Sequence, residues 1–118
     1  MSINQKHFLP FQLFEYDHQP GEYCLQLSDT HMLEKEELFS DNGRYGNGYG
    51  WSDVAVYAMR SQDPSLESKI NLNPEAGTFV AFGKNLSALQ KLAQLLFEAY
   101  NNPQTLAEWV SKAPYEWD

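Results

Sequence analysis

Three histidines, one cysteine and a crowd of carboxylates are the side chains here that could carry chemistry, and their spacing decides which kind. A metal needs ligands clustered within a helical turn or across a short knuckle. His7, His18, His31 and Cys24 offer neither that spacing nor a C-x-x-C pair, so neither a metal nor any other cofactor is expected. Cys24 as a nucleophile would need an activating histidine or a helix N-terminus beside it. It falls mid-strand in the alternation pattern and reads as a small, buried, inert thiol. No serine stands in a G-x-S-x-G turn. Glu34, Glu36, Glu37 and Asp41 precede a glycine-rich run and Asp53 follows it. Acid–base work would require two of these in a cleft with their pKa values driven apart. Nothing in the pattern predicts a cleft, and an acidic run is by default a solvated face. No catalytic residue is assigned, and the chain does not read as an enzyme.

The glycine-rich run is Gly43-Arg-Tyr-Gly-Asn-Gly-Tyr-Gly-Trp51, set directly before an apolar helix pattern. Glycine loops that open helices cradle phosphates. This one lacks the G-x-G-x-x-G spacing and a Lys-Ser/Thr ending, and Tyr49 and Trp51 would obstruct a pyrophosphate. Four glycines in nine residues pack poorly on entropic grounds. Such a run must follow an unusual backbone path or present an aromatic surface. Trp51, which starts the helical stripe, reads as core. Tyr45 and Tyr49 read equally well as core cover or as contacts. Aromatics beside carboxylates also suit a sugar, which leaves a small-ligand or carbohydrate-binding module as the alternative to a protein-binding role.

The elements that position these residues follow from periodicity. Leu9, Phe11 and Leu13 share one face of a strand over 7–16, and Pro10 makes it an edge. The turn-rich stretch from Asp17 to Gly21 leads into Glu22–Ser28, where Tyr23, Leu25 and Leu27 alternate inward. From Asp29 to Asp41 only a short helical turn is suggested. Trp51, Val54, Ala55, Ala58 and Met59 then mark one helical face, with Ser52 and Asp53 at its N-terminal end. Lys69–Asn73 and Thr78–Phe82 form a second hairpin around Asn73-Pro74-Glu75-Ala76-Gly77. Leu89, Leu92, Ala93, Leu96, Phe97 and Tyr100 define the strongest helix, with Ser87 and Gln90 in the form of a capping box. Asn102 and Pro103 start a last helix that packs through Leu106, Trp109 and Val110. The expected fold is α+β in ββαββαα order, an antiparallel or mixed sheet from two hairpins with helices on one face.

A chain of 118 residues with 42% apolar residues is one folded domain, spanning 1–118. Sixteen acidic against eight basic side chains give a net charge of −8. That field repels nucleic acid and anionic membranes and attracts basic proteins. No apolar run spans a bilayer, and Ser2, Asn4, Gln5 and Lys6 break any signal-peptide pattern. With a lone cysteine as well, a cytoplasmic location is expected.

Gly46-Asn47-Gly48-Tyr49-Gly50-Trp51 before a helix, with Asn73-Pro74-Glu75-Ala76-Gly77-Thr78-Phe79 before a Leu-rich helix, resembles immunity protein family 51 of bacterial polymorphic toxin systems. The two elements span about 41–100. Asn71 and Asn73 stand where the family pattern carries acidic residues. The resemblance implies an inhibitor that binds and neutralises a cognate toxin domain, a basic protein, with no catalysis. On that reading Tyr45 and Tyr49 are aromatic contacts, while Glu36, Glu37 and Asp41 pair with lysines or arginines of the toxin. Gly46, Gly48 and Gly77 fix the backbone, and Trp51 and Phe79 anchor loop and turn to the core. The oligomeric state stays open, because edge strands can pair between chains.

Overall fold

The structure, a computed structural model, describes residues 8–118. The expectations for residues 1–7, including the N-terminal reading and His7 as a strand start, lie outside the described residues. Alternation begins after Pro10 and gives strand β1, Gln12–Glu15. The turn residues that follow reverse the chain into β2, Tyr23–Ser28, in antiparallel register with Leu13 opposite Leu25. Phe11 and Leu13 are buried, whereas Leu9 lies before the strand and is exposed. The second hairpin is a short β3, Asn71–Leu72, and a longer β4, Thr78–Gly83.

The sheet order is β1-β2-β4-β3, antiparallel throughout. This is the expected α+β class. Its two hairpins join through a β2–β4 pairing that sets Leu27 opposite Phe79 and Leu25 opposite Ala81. Those residues and Leu13 are buried beneath the helices. Phe14, Cys24 and Phe82 form a cross-strand row on the opposite face. Burial there pushes the Cys24 thiol pKa up, which keeps it protonated and unreactive.

The acidic stretch folds into two short helices, α1 (Asp29–Leu33) and α2 (Glu36–Asp41), each burying one side chain, Met32 and Phe39. Then come α3 (Gly48–Gln62), α4 (Leu86–Tyr100) and α5 (Pro103–Lys112). Every residue from Gly50 to Val56 is buried. The sheet covers one side of α3, and α5 packs on it as well. The stripe predicted for α4 is the buried one, except that Phe97 is only partly covered.

The cap of α4 differs from the expected Ser87–Gln90 box. Asn85 has extended backbone geometry and its Oδ1 accepts from the Ala88 N–H at 3.0 Å, so Ser87 is already inside the helix. Asn85→Ala is expected to lower stability by about 1 kcal/mol. Calorimetry checks this, and an unchanged melting temperature would reject Asn85 as the cap. Asn102 caps α5, with Pro103 in its first turn, as the spacing predicts.

Candidate partner-binding site

The glycine-rich run is half helix. Asn47 Oδ1 accepts from the Gly50 N–H at 3.0 Å, which starts α3 at Gly48, three residues before Trp51. Glycine is required there by contact rather than by torsion. The Gly48 N–H donates to the Ala76 carbonyl at 3.1 Å. A Cβ on Gly48 would stand inside 3.0 Å of the carbonyl oxygens of Glu75 and Thr78. One on Gly50 would run into the Tyr45 carbonyl, and one on Gly46 would stand 3.0 Å from Glu36 Cα. Run 43–51 and turn 73–78, far apart in sequence, therefore form one packed junction. Trp51 is its keystone, fully buried among Phe11, Phe39 and Tyr100 at centroid distances of 5.8, 5.2 and 6.0 Å. Phe79 is buried in the same core, while a Cβ on Gly77 would meet nothing within 4 Å.

On this rigid base Tyr45 stands out with 71% of its surface exposed, and Tyr49 is half-buried. Glu36, Glu37 and Asp41 are all exposed on α2. Glu37 and Asp41 sit one turn apart and line a groove of about 410 Å³ with Glu34, Lys35 and Ala107 of α5. Glu36 instead borders Gly46 and thus the tyrosine-bearing run. Beside the groove, the Tyr100 hydroxyl donates to the His31 carbonyl at 2.9 Å, and the Lys35 ammonium lies over its ring at 4.5 Å. Burial, then the Glu34 charge, push the Tyr100 phenol up to about 12, so it remains a donor at neutral pH.

A second arrangement was not anticipated from sequence. Arg44 and Asp53 flank the junction, both buried, with Nη1 and Oδ2 3.6 Å apart. Neither chiefly serves the other. The Arg44 guanidinium donates to the carbonyls of Ala113 and Pro114 and lies 3.7 Å from the centre of the Tyr115 ring. Asp53 accepts the backbone N–H groups of Glu116, Trp117 and Asp118 at 3.0, 2.9 and 3.1 Å. Arg60 pairs with the Glu116 carboxylate at 2.6 Å and with Glu67 at 2.8 Å, which lowers the pKa of Glu67. Both arginines of the chain thus grip segment 113–118.

A scan against known protein families matches the chain to Immunity protein 51 over residues 11–115. The chain belongs to the immunity protein 51 family. The matched span contains the glycine junction, the 73–78 turn, Arg44, Asp53 and Tyr115. Neither curated proteins nor solved structures gave a match. Membership in an immunity protein family implies a toxin protein as partner. Among the described residues of this family member, no helix is long and apolar enough to cross a membrane, and no three metal-ligating side chains converge.

The sequence did hold a signal for the grip this immunity protein has on segment 113–118. Only two arginines stand against six lysines, and Arg is the side chain whose planar fork suits carbonyl and carboxylate acceptors. Asp53 carries no such signal: the sequence pattern places it at the N-terminal end of the helix, and only the start of α3 at Gly48 puts it past the first turn, beyond the reach of the helix-end dipole effect.

Proposed function

We propose that this immunity protein neutralises a cognate toxin domain by direct binding, through a face made of Tyr45, Tyr49 and the α2 carboxylates Glu36, Glu37 and Asp41. The observation that carries the reading is the family membership across residues 11–115. Surface chemistry supports it. Tyr45 is a large, exposed aromatic whose backbone carbonyl packs against Gly50, the kind of side chain that anchors tight interfaces. Glu36 borders the run that carries it, Glu37 and Asp41 line the neighbouring groove, and the net charge of −8 steers a basic partner into contact. Binding needs no catalytic group on this chain.

The test is a titration against the C-terminal domain encoded by the adjacent upstream gene, made inactive by substitution and paired with growth rescue on co-expression. Tight one-to-one binding is expected. Tyr45→Ala should weaken it at least about tenfold with little change in melting temperature, and Tyr49→Ala should also weaken it. Glu37→Lys with Asp41→Lys should slow association and flatten its salt dependence. Absence of binding by the folded protein would remove the proposal.

A further inference from the structure

We infer that segment 113–118 is part of the toxin-binding face, with Tyr115 and Trp117 meeting basic side chains of the partner. The inference rests on the toxin-binding reading above and extends its surface. Five large apolar side chains are exposed among the described residues: Leu9, Leu33, Tyr45, Tyr115 and Trp117. The three aromatic ones all sit within two residues of an atom of the Arg44–Asp53 arrangement. Tyr45 follows Arg44, Tyr115 carries the Arg44 guanidinium on one ring face, and Trp117 hangs from Asp53 by its backbone N–H.

The way the segment is held points the same way. Many of its polar groups are engaged: carbonyls of Ala113 and Pro114 by Arg44, amides of 116 to 118 by Asp53, and the half-exposed Glu116 carboxylate by Arg60. What remains outward is two aromatic side chains, Tyr115 66% and Trp117 40% exposed, alternating along the chain with the exposed acidic residues Glu116 and Asp118. A buried ionic arrangement is a poor device for stability alone, since apolar side chains of similar volume do as well or better. Its distinct property is a fixed geometry, which lowers the ordering cost of binding. The partner chemistry follows from the surroundings. The exposed parts of Tyr115 and Trp117 lie beside Glu116 and Asp118, and Trp117 shares a groove with Glu67 and Glu116. One cation, Arg60, pairs with both Glu67 and Glu116, and the acidic surplus suits arginine or lysine, through cation–π contact and charge. A basic toxin surface is the occupant that fits.

The chain has three tryptophans, and Trp51 and Trp109 are buried, so Trp117 reports on its surface alone. The experiment labels the full chain with fluorotryptophan and follows fluorine NMR while adding the inactivated toxin domain of the adjacent gene. The Trp117 signal, assigned with Trp117→Phe, should shift and lose its broadening by a soluble gadolinium chelate. In parallel, Tyr115→Ala with Trp117→Ala should bind the toxin domain at least about thirtyfold more weakly while staying folded, with a lower melting temperature from the lost Arg44–Tyr115 contact. Trp117→Ala alone, which leaves that contact in place, should also weaken binding. If the wild-type chain binds while Trp117 stays open to the chelate and the double variant keeps its affinity, the inference falls and toxin binding stands. If the wild-type chain does not bind at all, both fall together.

Discussion

Gly48→Ala is expected to destabilise the protein by about 3 kcal/mol or more, the upper range for an overpacked site. A helix argument alone predicts the opposite sign. Gly48 is the first residue of α3, and alanine is favoured over glycine within helices by roughly 0.5–1 kcal/mol. The clash decides, because the added methyl group would lie inside 3.0 Å of two backbone carbonyl oxygens, those of Glu75 and Thr78. No rotamer change relieves a clash with backbone. Relief requires α3 to lift off the turn, which breaks the Gly48–Ala76 hydrogen bond and loosens Trp51 from its aromatic neighbours. Gly77→Ala is the control. A Cβ there meets open space and the residue has no positive φ, so the change should be neutral or stabilising by a few tenths of a kcal/mol. Urea denaturation of the two variants checks the pair. A Gly48→Ala protein as stable as wild type would mean that the junction is not packed as described.

That prediction also marks where the sequence was opaque. The apolar spacing from Leu89 to Tyr100 and the alternation from Tyr23 to Leu27 are local patterns, and both elements fold as they specify. Glycine content masked the start of α3, since Gly48 and Gly50 look like loop until the Asn47 cap and the carbonyls they face are known. Strand β4 pairs with β2 from about fifty residues away, a choice governed by which faces must be buried together and not by any local signal. The candidate site divides in the same way. The exposure of the α2 carboxylates follows from composition, the sequence leaves Tyr45 even between core cover and contact, and the burial of Asp53 depends on backbone amides more than sixty residues later. A charged residue near a helix start reads as solvated until something long-range returns to cover it.

Asp53→Ala should cost roughly 3–5 kcal/mol, the range for stranding one member of a buried charge pair. Two losses combine in it. Three backbone amides of 116 to 118 lose their acceptor, and the Arg44 guanidinium keeps its charge with the nearest carboxylate gone. Asp53→Asn separates them. Its remaining side-chain oxygen can still accept from Glu116 and Trp117, but its amide group faces the Asp118 N–H, donor against donor, and carries no charge for Arg44. It should fall between wild type and alanine. Because Nη1 and Oδ2 are 3.6 Å apart, beyond the 2.7–2.9 Å of a charge-assisted hydrogen bond, the two side chains act on each other mainly through the segment both hold. Arg44→Met combined with Asp53→Leu removes both charges together and lets the segment turn its amides to water. The double change should therefore destabilise by clearly less than the sum of the single changes, a coupling of about 1–3 kcal/mol in a double-mutant cycle. Strict additivity would mean that Arg44 and Asp53 hold segment 113–118 independently. The Tyr115 and Trp117 surface would then need only one of them, and Arg44→Met alone would leave Trp117 as exposed to a soluble chelate as in the wild type.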